Sequence, residues 1–437
     1  EDTASAFAYK SKWELKKAYY LFSVLKYPMI VKIGSSITKL VLALHLPVKG
    51  LIKKTIFQQF CGGENIKDCE NRISQLAKYQ VGTILDYSVE GQESVDDFEN
   101  NKTEIIQTVL TAALYKDIPF SVFKVTGLGR TSLIKKVSLK RDSLTKEENL
   151  EKDQIVDRID QICKVAYEKN VSIFIDAEDS WFQDFIDDVA YQMIAKYNTE
   201  LPIIYNTIQL YRHDRLNYMQ ELITRCKKKN LFLGLKLVRG AYMEKEREIA
   251  NLQGYQDPIH QTKEDTDKDY NAAIEYCMKS LDFVSVCAGS HNEKSALILA
   301  NLMSEMGLKK DDPRICFAQL LGMSDHISFN LAKLGYNVAK YVPYGPIKEV
   351  LPYLIRRAEE NTSVSGQTGR ELLLIKKEIK RRSILVLDWS FSSLYTFCIN
   401  SNCSNNNFSF HKNGDLIFII TYKNIHCFVF FKNGSFN

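Results

Sequence analysis

The sequence lacks the residue patterns of several common kinds of functional site. Its ten cysteines include no C-x-x-C pair, and their spacing fits neither a zinc ribbon nor a disulfide-stapled miniprotein. Its seven histidines show no H-E-x-x-H or similar metal-binding spacing. Neither a Ser-His-Asp set nor a G-x-S-x-G elbow is present. We therefore predict free thiols in a reducing compartment and no metal centre.

A strong charge imbalance and long uncharged apolar runs are also missing. Lysine and arginine number 58 against 53 acidic residues, a net charge of +5 on 437 residues, with no basic block that would indicate nucleic acid binding. The apolar N-terminal segment 9–60 is interrupted by Lys26, Pro28, Lys32 and Lys39. No part of it therefore reaches the ~18 uncharged residues of a membrane-spanning helix. Its composition fits helices that pack on a domain or lie in a membrane interface, and we favour packing.

From residue 82 onward, short apolar runs alternate with longer amphipathic ones. The short runs have the length of β-strands, and their continuous apolar character is typical of strands buried on both faces of a parallel sheet. They occupy residues 82–88, 120–128, 171–178, 202–211, 231–242, 282–290, 314–321 and 337–345. Eight such units, separated by helical patterns, predict an α/β fold with a (β/α)8 barrel of the TIM type. An open doubly wound sheet is the alternative, although no G-x-G-x-x-G follows any strand.

The pattern divides the chain into three parts. We predict an N-terminal helical region at 1–80 that packs on the barrel or on a membrane surface, a catalytic barrel at 81–382 and an atypical tail at 383–437. The tail contains an Asn/Ser tract followed by an aromatic, β-prone segment with few charges. It is either a small β appendage or sequence foreign to the rest of the chain, and we favour the second interpretation.

Polar side chains recur at the C-terminal ends of the predicted strands, where barrels of this kind place their chemistry. They are Lys124, Asp176, Glu178, Gln209, Tyr211, Lys236, Arg239, Tyr242, Ser290, His291, Asn292, Gln319, Lys340 and Tyr341, followed by Arg356, Arg357 and Glu360 on a closing helix. Each one alone is better explained as a surface charge or a satisfied core residue. Together they are rich in cations and amides, which suits a bound anionic cofactor that performs the chemistry.

Two other functions fit parts of the same pattern. Lys124, Lys236 or Lys340 could serve as the nucleophile of a Schiff-base aldolase if desolvation lowered its pKa. The basic, apolar N-terminus could instead belong to a membrane-associated scaffold without catalytic activity.

Six segments resemble, in unbroken order, the successive strand motifs of the proline dehydrogenase (proline oxidase) family. They are FIDAED, NTIQLY, KLVRGAY, SHNEKS, FAQLLGMSD and KYVPYGPIKEVLPYLIRRAEEN. The segments SKWELKKAYYLF, FCGGE and GTILDYSVE resemble the N-terminal part of the animal mitochondrial form. The resemblance covers roughly residues 8–382.

This resemblance implies an FAD-dependent (β/α)8 enzyme that oxidises L-proline to pyrroline-5-carboxylate, the first step of proline catabolism. It also implies a mitochondrial location on the matrix side of the inner membrane, peripheral membrane contact and ubiquinone as electron acceptor. The family holds FAD on the strand ends, in keeping with the missing G-x-G-x-x-G. Because the chain begins at Glu1, we expect any targeting peptide to lie outside it.

The resemblance also assigns residues to the substrate side of the site. These are Lys124, Asp176, Tyr341, Tyr353, Arg356, Arg357 and Glu360. The two arginines would clamp the substrate carboxylate with help from Lys124, since a guanidinium group matches a carboxylate through two parallel hydrogen bonds. Glu360 lies one turn after Arg356 and would hold that clamp by an ion pair. The tyrosines would wall the proline ring, and Asp176 would fix the neighbouring polar groups.

A second set is implied to hold the FAD. It comprises Gln209, Lys236, Arg239, Gly240, Ala241, Tyr242, Ser290, His291, Asn292 and Gln319. A cation at Lys236 would favour the anionic reduced flavin. Bacterial members commonly have Arg in place of Lys236 and Thr in place of Ser290, and both differences keep the charge or the hydroxyl. Relatives that prefer hydroxyproline tend to have a small residue in place of Tyr341, so this tyrosine favours proline over hydroxyproline as substrate.

Overall fold

The computed structural model describes residues 2–27, 29, 31, 49–89, 93–139, 143–363, 369–384, 407–410, 416–422 and 425–431. Contacts divide the chain into two compact units, Glu1–Lys376 and Lys377–Asn437. In the first unit, eight parallel strands close into a barrel in sequence order. They are β1 Val81–Tyr87, β2 Phe120–Lys124, β3 Ser172–Asp176, β4 Ile204–Gln209, β5 Leu233–Val238, β6 Val284–Gly289, β7 Ile315–Leu320 and β8 Val338–Tyr344. The predicted (β/α)8 barrel is confirmed, and the doubly wound alternative is wrong.

Helices precede the barrel and separate its strands. The helices before β1 are α1 Thr3–Ala6, α2 Lys12–Leu25, α3 Lys49–Ile52, α4 Gln58–Phe60 and α5 Ile66–Ala77, with a π-helical turn at Lys53–Phe57. Those that follow are α6 Val95–Leu114, α7 Thr131–Leu139, α8 Lys146–Glu168, α9 Ser180–Tyr197, α10 Arg215–Lys228, α11 Met243–Gln253, α12 Lys263–Met278, α13 Glu293–Glu305, α14 Asp325–Lys333 and α15 Leu351–Ser363. A last helix, α16, covers residues 369–384.

The barrel has one core inside its strands and a larger one between strands and helices. Inside, the Phe120 and Phe174 rings stack with centroids 4.5 Å apart, and the Tyr205 ring meets them edge-on. Gly234 on β5 makes room for this tyrosine, because a Cβ atom there would lie 2.3 Å from the Tyr205 ring. Burial on both faces explains why these strands are apolar without alternation.

The described N-terminal residues pack against the barrel. Tyr9 stacks on Phe329 of α14 with ring centroids 4.5 Å apart. The backbone N–H of Gly62 donates to the carbonyl of Pro343, near the end of β8. Among the described residues, no helix is both long and apolar enough to cross a membrane. Residues 28, 30 and 32–48 of the predicted apolar segment lie outside the described residues.

The described cysteines and the tail bear on two further predictions. The seven cysteines that the structure describes are free and buried, which confirms free thiols at these positions. In the second unit, β9 Asn407–Phe410, β10 Leu416–Tyr422 and β11 Ile425–Phe431 form an antiparallel sheet with β10 in the middle. The β-prone segment thus forms strands, and our interpretation of the tail as foreign sequence stays a prediction.

Candidate functional site

A buried carboxylate, Asp176, connects four strands at the C-terminal mouth of the barrel. Its Oδ2 atom accepts a hydrogen bond from the Tyr341 hydroxyl at 2.9 Å. Its Oδ1 atom forms a short ion pair with Lys236, and the Thr207 hydroxyl lies 3.4 Å away. The Lys236 ammonium also lies 4.9 Å from the centre of the Tyr341 ring. The structure therefore brings three of the predicted residues from β3, β5 and β8 into direct contact.

Lys124 at the end of β2 pairs with a carboxylate that the sequence analysis missed. Its ammonium lies 3.4 Å from Oδ2 of Asp86 on β1, and Asp86 is 1% exposed. The Ser88 hydroxyl donates a short hydrogen bond to the same oxygen. The other oxygen, Oδ1, has no hydrogen-bond partner among the described residues. The strand-end rule could have found Asp86, because it is the last acidic residue of the apolar run 82–88.

A third buried acid, Glu178, joins the ends of β2 and β3. Its carboxylate accepts hydrogen bonds from the Thr126 backbone N–H at 3.0 Å and from the Thr126 hydroxyl. Burial raises the pKa of Glu178 to about 7, against the effect of the two Thr126 bonds. Glu178 lies at a predicted strand end, although the sequence assigned it no role.

The paired arginines on α15 face different partners. Arg357 is buried, forms a short salt bridge with Glu360, and has its guanidinium carbon 5.2 Å from the centre of the Tyr353 ring. Arg356 is partly exposed, with its guanidinium carbon 5.6 Å from the Tyr242 ring beyond β5. Glu360 forms this salt bridge with Arg357 at three-residue spacing, and the charge of Arg356 also acts on it. The predicted pairing of Glu360 with Arg356, one turn earlier, stays a prediction. Both spacings bring side chains together on a helix, so the sequence alone did not decide between them.

The α15 residues lie within electrostatic range of the strand ends. Burial raises the pKa of Tyr341 well above its usual range, and the charges of Asp176 and Asp86 and the nearby Tyr353 add to this effect. Burial also raises the pKa of Glu360, while the charges of Arg357 and Arg356 oppose the rise. The buried Tyr353 hydroxyl has no hydrogen-bond partner among the described residues. Tyr341 therefore stays protonated and acts as a hydrogen-bond donor at any ordinary pH.

Arg239, just beyond β5, is held by three side chains from other elements. Its Nε atom donates to Asp267 of α12 at 2.7 Å, and its two terminal nitrogens donate to Ser290 at 2.6 Å and Ser295 at 2.9 Å. Its guanidinium carbon lies 4.2 Å from the centre of the Tyr270 ring. Asp267, Ser295 and Tyr270 were not singled out from the sequence because they lie within helical patterns.

The loop after β6 carries the next three predicted residues into α13. Asn292 caps this helix, since its side-chain oxygen accepts from the backbone N–H of Lys294 at 2.9 Å. The Ser290 hydroxyl accepts from the Asn292 backbone N–H at 3.0 Å. Burial lowers the pKa of His291 to about 3, and the positive charges of Lys340, Arg357 and Arg239 add to this. The imidazole is therefore neutral and surrounded by cations, which is a suitable environment for an anionic ligand.

Two predicted amides and a glycine complete the cofactor set. Gln209 on β4 is 2% exposed, and its carbonyl oxygen has no hydrogen-bond partner among the described residues. Gln319 on β7 donates to the carbonyl of Ser290 at 3.2 Å. Gly240 has φ +144°, and a Cβ atom there would lie 2.4 Å from the Tyr211 ring, so only glycine fits. Ala241 is half-buried beside it.

The sequence of this barrel matches the model of one known protein family. The family model described as proline dehydrogenase matches residues 69–370. The chain belongs to the proline dehydrogenase family.

Members of the proline dehydrogenase family from distant organisms are similar to this chain. Proline dehydrogenase 1, mitochondrial, of Dictyostelium discoideum is 33% identical over 429 residues, which covers 87% of this chain and 74% of that protein. The human protein of the same name is 42% identical over 232 residues, covering 52% of this chain and 39% of that protein. Hydroxyproline dehydrogenase of Xenopus laevis is 31% identical over 416 residues, covering 86% of this chain and 88% of that protein.

Among solved structures, this chain resembles proline utilization A of Bdellovibrio bacteriovorus, inactivated by N-propargylglycine. The TM-score is 0.65 at 21% sequence identity, and the match covers 72% of this chain and 34% of that chain. This chain thus corresponds to about a third of the bacterial protein, and at this identity the likeness shows the shared barrel fold alone.

The lysines at the mouth of the barrel are engaged by carboxylate or carbonyl groups. These contacts disfavour the aldolase alternative. Lys340 is fully buried, with its ammonium 3.0 Å from Asp325 and 2.5 Å from the carbonyl of Met323. Lys124 and Lys236 each pair with a carboxylate. An amine engaged in such contacts is not free to attack a substrate carbonyl. Among the described residues, no cluster of three or more His, Cys, Asp or Glu could hold a metal ion.

Proposed function

We propose that this chain is an FAD-dependent dehydrogenase that oxidises L-proline to pyrroline-5-carboxylate and passes the electrons to ubiquinone. Its membership of the proline dehydrogenase family supports this proposal. The observation that carries it is the cluster of Asp176, Lys236 and Tyr341 at the barrel mouth. Tyr353 of α15 lies within electrostatic range of Tyr341, and Arg357 lies over the Tyr353 ring.

The substrate side is assigned to the guanidinium groups and tyrosines. Arg357 and Arg356 would bind the proline carboxylate, since their positive charges and planar forks complement it. Tyr353, whose hydroxyl is buried without a described partner, and Tyr341 would enclose the ring. Lys124 would add positive charge from β2. The ion pairs and hydrogen bonds of the mouth would keep these groups in fixed orientations, so substrate binding needs little rearrangement.

The donor set at the strand ends fits a flavin dinucleotide. The unpartnered oxygen of Gln209 and the Lys236 ammonium suit the polar edge of the flavin ring. Arg239 and the bend at Gly240 suit the phosphates, which need cations and a close backbone approach. Ser290, His291, Asn292 and Gln319 suit the adenosine half, with Ala241 and Tyr242 alongside. FAD would supply the two-electron acceptor for the hydride that leaves the ring carbon next to nitrogen.

The residues of the mouth suggest no dedicated protein base. Asp176 is engaged by Lys236 and Tyr341, and Asp86 by Lys124 and Ser88. We therefore assign the proton of the substrate amine to solvent, before hydride transfer, and give Asp176 the role of holding Lys236 and Tyr341 in place.

The deciding experiment is anaerobic reduction. Purified protein should carry a yellow flavin, and L-proline added without oxygen should bleach its absorption band. A folded, colourless protein that does not take up FAD would overturn the proposal. Trapping of a substrate on a lysine by borohydride would instead support the aldolase alternative.

A second candidate activity is oxidation of hydroxyproline. It is suggested by the similarity of this chain to a Xenopus laevis protein named hydroxyproline dehydrogenase. The ring of Tyr341 supports proline as the substrate, because it is held against Lys236 and Asp176 and would leave little room for a substrate hydroxyl. The ratio of kcat/KM for the two substrates decides between them.

We also propose a mitochondrial location with peripheral contact to the inner membrane. The mitochondrial relatives support the location. The contact is supported by Trp13, Tyr20, Val24 and Tyr27, which are exposed at spacings of seven, four and three residues along and just beyond α2. Aromatic side chains with nearby lysines are typical of a membrane interface. Sedimentation with anionic liposomes should fall when Trp13 and Tyr20 are replaced by Ser, and unchanged sedimentation would exclude this surface.

A further inference from the structure

Ser324 occupies an unusual position next to the proposed cofactor residues. It precedes α14 in the left-handed backbone region, with φ +51°, and it is fully buried. Its hydroxyl is hydrogen bonded to Nδ1 of His291 at 2.9 Å. A non-glycine residue in this region is held there by its surroundings, because the conformation is unfavourable on its own.

The partner that holds Ser324 comes from α16. Glu371 on α16 is 3% exposed, and its carboxylate accepts a hydrogen bond from the Ser324 backbone N–H at 2.5 Å. Leu374 and Ile375 on the same helix are buried and fix its position. A buried backbone N–H without an acceptor is costly, so the carboxylate supports this backbone conformation.

The same loop supports a second proposed cofactor residue. The Ser328 hydroxyl donates to the side-chain oxygen of Gln319 at 2.7 Å and lies 3.3 Å from the Ser324 carbonyl. Gln319 in turn donates to the carbonyl of Ser290. His291 and Gln319 therefore both depend on the backbone at the start of α14.

We propose that Glu371 is a positioning residue for the adenosine half of the cofactor: by fixing Ser324 it fixes the orientation of His291, and through Ser328 that of Gln319. This inference rests on the proposed FAD site. It gives a role to α16, which lies beyond every residue that the sequence analysis assigned.

The burial of Glu371 and the charges around it make the strength of its hydrogen bond to Ser324 dependent on pH. Burial raises the pKa of Glu371 to about 7 and the charge of Asp325 adds to this, while Lys340 and Lys10 oppose it. His326 also faces it, at 3.9 Å. Above pH 7 the carboxylate is ionised and makes a charge-assisted bond, whereas below pH 7 it is protonated and accepts more weakly.

Cofactor affinity and protein stability should therefore respond to pH in opposite ways. We expect FAD to bind more tightly at pH 8 than at pH 6. Because the folded-state pKa of Glu371 lies above the usual 4.5, its contribution to stability is greatest at low pH and is lost as the pH rises through 7. His291 stays neutral throughout this range, so its own charge does not contribute.

The test measures the dissociation constant of FAD by flavin fluorescence, with the full-length protein freed of flavin. Glu371→Leu removes the acceptor and should weaken binding about 10-fold at pH 8. Glu371→Gln keeps a neutral acceptor, so it should restore most of the affinity and make it equal at pH 6 and pH 8. Thermal unfolding at pH 8 should show Glu371→Gln at least as stable as the wild type.

Glu378→Gln on α16 is the matched control. Glu378 is also fully buried, but it pairs with Arg381 and Arg382 at 2.7 Å. This variant should leave FAD affinity and its pH dependence unchanged.

Two results would overturn the inference alone: wild-type FAD affinity in folded Glu371→Leu, or an unchanged pH dependence in Glu371→Gln. If Glu371→Leu does not fold, the pH dependence of FAD affinity in Glu371→Gln tests the inference by itself. Failure of the wild-type protein to bind FAD would instead overturn the proposed function, and the inference with it.

Discussion

Two adjacent arginines occupy different environments because a helix turns by about 100° per residue. Arg357 is buried against Tyr353 and Glu360, while Arg356 points toward Tyr242 and stays partly exposed. Ion pairs strengthen as water is removed, so the same substrate carboxylate should interact more strongly with Arg357.

Arg357→Met should raise the KM for proline by about 30-fold or more, since losing one partner of a desolvated charge pair costs about 2–5 kcal/mol. Arg356→Met should raise the KM less. Steady-state kinetics with proline as the varied substrate checks both. Arg225→Met is the control, because that guanidinium also lies over a ring, at 3.5 Å from the centre of Tyr191, but on α10 away from the mouth. A wild-type KM in Arg357→Met contradicts the clamp.

Tyr341→Ser should shift the substrate preference toward hydroxyproline, because removal of the ring opens space for a hydroxyl and removes apolar contact with proline. We expect the ratio of kcat/KM values to change about 10-fold or more. Tyr341→Phe keeps the ring but loses the 2.9 Å bond to Asp176, so it should keep the wild-type preference. An unchanged ratio in Tyr341→Ser would remove the structural argument for proline.

At the residue scale, the sequence was informative where chemistry follows from position along a strand. Asp176, Lys236 and Tyr341 were predicted from their strand ends and meet in one cluster. The sequence did not reveal Ser324 and Glu371, because their contact depends on how a loop and a distant helix fold together. A hydrogen bond between a backbone N–H and a distant carboxylate produces no regular residue spacing that could be recognised in the sequence.

At the element scale, the strands were predicted in number and order but not in length. The run 120–128 was read as one strand, whereas β2 ends at Lys124 and a 3-10 turn follows at Val125–Gly127. Val125 and Leu128 are fully buried beyond the strand, so the apolar run continues although the strand does not. Hydrophobic content reports burial, and only the hydrogen-bond partners decide where a strand ends.

The turn from β5 to α11 offers a test of the backbone at the proposed phosphate site. Gly240→Ala should lower stability by several kcal/mol, because the new Cβ meets the buried Tyr211 ring and φ is +144°. Gly254→Ala has positive φ, +69°, but no atom within 4 Å of the added Cβ, so it should cost only about 1 kcal/mol. Urea unfolding of both variants compares them. Equal destabilisation would show that the Tyr211 contact is unimportant.

At the scale of the whole molecule, the residues assigned to the site all belong to the first unit. Deletion of residues 385–437 keeps α16 complete and should preserve both solubility and flavin bleaching by proline. Deletion of 364–437 removes Glu371 as well and should lose FAD. Flavin absorbance and gel filtration of the two truncated proteins check this. Loss of activity in the shorter deletion would show that the tail is a working part of the enzyme.

The buried thiols give this protein a built-in reporter of unfolding. Only a thiolate reacts quickly with alkylating reagents, and burial raises the pKa of Cys226 to about 11 and that of Cys277 to about 12. Cys287 lies inside the barrel, whereas Cys163 lies in the helical layer. In the chain ending at residue 384, every remaining cysteine is one of the seven buried ones. The order in which they become alkylated would therefore show which layer of the molecule opens first, without any engineered label.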